Sequence, residues 1–230
     1  MIDPLSQFDW GTLYARYDAM SKRGFNGSSK HLNGIEPRPV CDRALYSHLL
    51  KAAHAHQSGS GRFSLPEYEA VLYWKLYSNH QAMANLGRWF QSRQAVGTAI
   101  DHLVRSLPRE LPREPHRVVT QVQSLGEFQV MGIKAKTAIP TRTTLLHFFY
   151  PNVVPIFDKM VLQAVGITKK GANQSIDMFR KYLSHVWFLA ERYTTSLNGF
   201  GDVSSVRLVD MALWVIRGKR GSGRDEECAA

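Results

Sequence analysis

Asp158 closes the stretch His147-Phe-Phe-Tyr-Pro-Asn-Val-Val-Pro-Ile-Phe-Asp158, which carries almost no other polar side chain. It directly precedes a short apolar segment, Lys159 to Val165. Desolvating a carboxylate is expensive, so an acid in such a setting needs a reason. Two roles fit its type and position. As the residue before a helix, it accepts hydrogen bonds from the free N–H groups of the first turn. At the mouth of a cleft, the same helix N-terminus would hold it ionised, and its charge would stabilise a cation there.

Two other groups of residues have the types to do chemistry. Met131-Gly-Ile-Lys-Ala-Lys-Thr-Ala138 is a basic, glycine-containing turn ahead of a helical pattern. Backbone N–H groups at such a helix start suit a phosphate oxygen. Gly132, Lys134, Lys136, Thr137 and Arg142 are therefore candidate phosphate anchors, with Lys159 beside Asp158 as another. Asp210 lies in Val206-Arg-Leu-Val-Asp210-Met-Ala-Leu-Trp214, which is apolar nearly all round. It is expected to be at least partly buried, on one helix face with Trp214, four residues on. An arginine such as Arg207 or Arg180 is its plain structural partner.

The elements that must position these groups read as helices. Leu5 to Met20, Asp42 to His56, Ala82 to Phe90, Ala95 to Leu107, His116 to Leu125, Thr141 to Phe149, Gln174 to Tyr193 and Val203 to Ile216 carry helical patterns or apolar runs of helical length. Ser64-Leu-Pro66-Glu67 is a capping box with proline near the helix start. Ser21 to Pro39 is a loop rich in glycine, serine, asparagine and basic residues. Pro108, Pro112 and Pro115 interrupt the arginines at 105, 109, 113 and 117, so that segment is a basic connector, not one charged helix face. No alternating strand pattern longer than a few residues occurs.

Composition narrows the function classes. Hydrophobic residues make up 44%, enough for a packed core. The net charge of +10 favours a polyanionic partner, most simply nucleic acid. Two cysteines, Cys41 and Cys228, suit a reducing compartment and are too few for a four-cysteine iron–sulfur site. No run of 18 apolar residues marks a membrane span, and the N-terminus does not read as a signal peptide. His54 and His56, two apart, point to different helix faces, so no metal site is expected.

The order of helix, glycine-containing turn, helix, then aspartate resembles the helix-hairpin-helix DNA glycosylase superfamily. The resemblance covers roughly Gln121 to Gly166. It rests on Gly132-x-x-x-Lys136-Thr137-Ala138, on Asp158-Lys-Met-Val161 with Val165, and on Pro151 and Pro155 between them. The chain departs from the family pattern at two points. Lys134 replaces the second hairpin glycine, and Lys136 precedes Asp158 by 158 − 136 = 22 residues, a longer interval than the family's.

The resemblance implies an all-α protein of two lobes around a cleft, with a helix-hairpin-helix gripping double-stranded DNA. The chain then forms one glycosylase-like domain over 1–230, with lobes 1–107 and 108–217 and a tail at 218–230. It implies a DNA glycosylase that excises a damaged or modified base, in repair or in defence against phage DNA carrying modified bases. Asp158 would be catalytic, stabilising the cationic sugar as the base leaves. Lys136 is the candidate covalent nucleophile, which would need a depressed pKa. The flipped base needs stacking faces. Phe148, Phe149, Tyr150 and Phe157 are the aromatics close to Asp158, and Asp210 with Trp214 would read and stack the base. No cofactor and no metal are expected, and a cytoplasmic monomer that does not enter a membrane is. The alternative is a non-enzymatic helix-hairpin-helix DNA-binding protein.

Overall fold

The computed structural model describes residues 1–24, 42–76, 93–200 and 203–216, and the chain is all-helical. Among the described residues there are ten α-helices and no strand. They are α1 (Trp10–Gly24), α2 (Asp42–Gln57), α3 (Leu65–Leu76), α4 (Arg93–Arg105), α5 (Pro115–Ser124), α6 (Ile139–Phe149), α7 (Lys159–Ala164), α8 (Ile176–Arg192), α9 (Thr194–Leu197) and α10 (Ser205–Val215). The helix expected over Ala82–Phe90, most of the loop expected over Ser21–Pro39 and the tail at 218–230 lie outside the described residues.

Local chemistry sets several boundaries. Half of the capping box forms before α3: Ser64 N–H donates to Glu67 Oε2 at 2.8 Å, and the Ser64 hydroxyl also donates to that oxygen, at 2.7 Å. Ser175 and Ser204 cap α8 and α10, accepting from Met178 N–H and Arg207 N–H. The three- and four-residue spacing of Phe179, Leu183, Val186, Trp187 and Ala190 buries one face of α8. α1 begins later than its pattern suggested, at Trp10, and extends through Gly24.

α6 is the central element. Its residues Thr141 to Phe149 are all buried, and it packs against α2, α3 and α5. α10 packs against α1, α7 and α8. One continuous cluster of buried side chains runs from Leu5 to Val215 and draws on both halves of the chain.

Between α5 and α6 the chain makes a 3₁₀ turn (Leu125–Glu127) and a run of turns through Thr137. Gly132 has φ +88 there, and a Cβ would meet Leu72 Cδ2 at 2.7 Å. Both the backbone and the close approach of α3 call for glycine.

Candidate functional site

The segment 151–157 carries Asp158 into position and is pinned from three helices. Thr143 Oγ1 on α6 accepts from Phe157 N–H at 3.2 Å. His147, also on α6, bonds through Nδ1 to Val154 O at 2.6 Å. Trp187 Nε1 on α8 donates to Val153 O at 2.7 Å, and Ser204 Oγ, at the start of α10, donates to Pro151 O at 2.7 Å. A strip lacking regular structure is thereby fixed by side-chain bonds to its backbone.

Asp158 itself plays the capping role. Its Oδ1 accepts from Met160 N–H (2.8 Å) and Val161 N–H (3.1 Å) at the start of α7. Its Oδ2 is 3.2 Å from Lys75 Nζ, on the last turn of α3. The Lys75 side chain is 9% exposed and that of Asp158 23%. The carboxylate is therefore doubly held yet still reaches solvent. Lys75 is a residue that sequence reasoning passed over. The signal was present in Val71-Leu-Tyr-Trp-Lys75-Leu76, a lone cation in an apolar run, just as Asp158 is a lone acid in one. The lysine paired with Asp158 is thus Lys75, whereas Lys136 is exposed on the turn before α6.

Behind this pair lies a buried polar cluster. Asp210 is 2% exposed. Its carboxylate takes Arg207 Nη1 at 2.7 Å and the Tyr182 hydroxyl at 3.2 Å. Of Arg207 and Arg180 it is Arg207, one turn away on α10, that binds it. Arg207 Nη2 donates to Tyr17 Oη at 2.7 Å, and the guanidinium lies 4.8 to 5.4 Å from the ring centres of Tyr46, Trp74 and Tyr17. Burial pushes the Asp210 pKa up to about 6, outweighing the pull of Arg207; the negative charge of Asp158 also raises it and Lys75 lowers it. Burial likewise raises the Tyr182 hydroxyl. Trp214 packs edge-on against Tyr17, with ring centres 5.7 Å apart.

Several expected site residues are directed elsewhere. Arg142 is only 6% exposed and spends its guanidinium on three backbone carbonyls: Nε to Ile133 (2.7 Å), Nη2 to Ala135 (2.8 Å) and Nη1 to Val122 (3.4 Å). It braces the turn from inside and presents no charge to a phosphate. Phe148, Phe149, Tyr150 and Phe157 are core residues, at most 5% exposed. Phe157 packs on Phe179 and Tyr182, and Phe148 on Tyr46 and Trp74. An aromatic-rich strip next to an acid is buried here because α6 lies at the centre of the molecule.

Lys134, Lys136 and Thr137 are exposed on the turn, and Lys159 is exposed at the start of α7. The structure thus brings Asp158 together with Lys75, and Asp210 together with Arg207 and Tyr182, while Trp214 packs on Tyr17. No group of three or more metal-ligating side chains occurs among the described residues, and none of their helices is long and apolar enough to cross a membrane. Comparison with protein-family models, curated proteins and solved structures finds no significant match.

Proposed function

We propose that this protein is a DNA glycosylase that flips a damaged or modified base out of duplex DNA and hydrolyses its N-glycosidic bond. The observation that carries the reading is Asp158. Its Oδ1 is fixed by two backbone N–H groups, while the side chain remains 23% exposed. A carboxylate oriented in this way is suited to stabilise the cationic sugar formed as the base departs. The net charge of +10 suits the DNA backbone. Exposed Lys134, Lys136, Thr137 and Lys159 are the phosphate contacts of this reading, with the turn before α6 acting as the hairpin. Two lobes, 1–107 and 108–217, hold the duplex between them, and the protein acts as a cytoplasmic monomer in repair or in defence against modified phage DNA. Water is the nucleophile.

The test is base release from duplexes carrying oxidised, alkylated, deaminated and hypermodified bases, with Asp158→Asn run in parallel. Release from at least one duplex, and its loss in the variant, is the expected result. Absence of abasic product with every duplex, or full activity of Asp158→Asn, overturns the reading. A second reading is favoured by the fact that Asp158 already serves as a cap and an ion-pair partner. It is a DNA-binding protein without chemistry, which would bind duplexes in a salt-dependent way and release no base.

A further inference from the structure

We propose, resting on the glycosylase reading above, that Lys75 is the general acid that protonates the departing base. Lys75 Nζ donates to Asp158 Oδ2 at 3.2 Å from a side chain only 9% exposed. It comes from α3, 83 residues away in sequence. Its neighbour Trp74 is buried, with an indole Nε1 that finds no hydrogen-bond partner among the described residues. Ion pairs of this kind add little net stability compared with apolar groups of the same size, so stability alone is a weak account of a buried lysine here.

The pair also poses a conflict. A fixed ammonium on Asp158 opposes a second positive charge developing at the same carboxylate. The conflict disappears if the ammonium loses its charge as the sugar gains one. The C1′–N bond then breaks with its electron pair moving to the base nitrogen, which takes the proton from Lys75 Nζ. A neutral amine and an oxocarbenium facing Asp158 remain. Water adds its oxygen to C1′, and its released proton passes by way of Asp158 to Lys75 Nζ, restoring the ion pair. One water is consumed, the base leaves protonated, and the abasic sugar gains a hydroxyl. No oxidant or reductant enters.

Arginine at this position retains the charge and the contact with Asp158 but holds its protons too tightly to donate one. The experiment compares wild type, Lys75→Arg and Lys75→Met. Single-turnover excision is measured on the base that wild type releases. Binding is measured to a duplex carrying a cationic pyrrolidine abasic mimic and to one carrying the neutral tetrahydrofuran analogue. Lys75→Arg is expected to melt like wild type but excise about 100-fold more slowly. Lys75→Met is expected to excise as slowly, yet to prefer the pyrrolidine duplex more strongly than wild type does, because the opposing charge is gone. Slow excision by Lys75→Arg, which keeps the charge beside Asp158, is the result that a merely structural lysine would not give, while the pyrrolidine preference of Lys75→Met reads whether the lysine's charge opposes a cation at that carboxylate. Excision by Lys75→Arg at the wild-type rate, or an unchanged pyrrolidine preference in Lys75→Met, overturns the assignment. A wild type that releases no base from any duplex overturns the glycosylase reading itself, and this inference with it.

Discussion

Arg207 and Asp210 face each other one turn apart on α10, with 2.7 Å between Nη1 and Oδ2 and both side chains at most 5% exposed. Three aromatic rings enclose the guanidinium, and Tyr182 donates to the other carboxylate oxygen. Removing one member of so buried a pair strands the other charge. Arg207→Met is expected to lower unfolding stability by about 3–5 kcal/mol. The double variant Arg207→Met/Asp210→Leu, which strands neither, is expected to recover a large part of that loss. Urea denaturation of the two single variants and the double variant measures the coupling. Additive losses would show that the two side chains do not depend on each other.

His147 gives the fold an acid sensitivity of known sign. Its Nε2 lies 2.7 Å from Tyr46 Oη and its Nδ1 bonds to Val154 O, which suits the neutral ring with the proton on Nδ1. Burial, followed by the positive charge of Arg207, pushes its pKa down to about 3. In the unfolded chain the imidazole titrates near its ordinary value of about 6.5. The folded value is depressed, so this stability is fully present above the unfolded pKa and is lost as pH falls toward the folded one. Unfolding stability is expected to fall by roughly 1.4 kcal/mol per pH unit from this group between about pH 6 and pH 4. Denaturation at a series of pH values measures the slope. His147→Gln should flatten it, and an unchanged slope in that variant would assign the acid sensitivity to other groups.

Arg142 and Gly126 form a matched pair. A Cβ on Gly126 would overlap the Arg142 guanidinium, so Gly126→Ala should displace the side chain that Arg142→Ala removes. Each substitution takes the Arg142 donor from the carbonyl of Ile133 and one of two donors from that of Ala135, which keeps the Ala138 N–H, and is expected to cost about 1–3 kcal/mol. The double variant should be little worse than either single one. Arg142→Lys should not rescue, because an ammonium cannot serve three carbonyls in a planar fork. Full additivity of the two losses would show that Gly126 matters for some other reason.

Lys134 and Lys136 supply a separate test on DNA. Both are exposed on the turn before α6. On the proposed DNA-binding reading, replacing both with glutamine is expected to weaken binding to duplexes of any sequence alike. It should also reduce the slope of log affinity against log salt by about 2. Fluorescence anisotropy across a salt series reads the slope, and a double variant with the wild-type slope removes these lysines from the interface.

The amino-acid sequence by itself determined what depends on neighbours a few residues apart. The all-α class, the face buried by α8, the Ser64–Glu67 capping box and the capping position of Asp158 all follow from helical spacing and from N–H groups left open at helix starts. Acids set in largely apolar runs marked Asp158 and Asp210 as residues with a partner to find. Only the tertiary structure decided who those partners are and which way long side chains turn. The pairing of Lys75 with Asp158 joins α3 to α7 across 83 residues, and no local periodicity encodes it. Arg142 turned inward because the turn before α6 folds its carbonyls back over the helix. Phe148 and Phe149 became core because α6 is enclosed by its neighbours, and Phe157 because it packs on Phe179 and Tyr182 of α8. Burial is a property of how helices pack, and the same Phe or Arg lines a site or fills a core according to which face its neighbours cover.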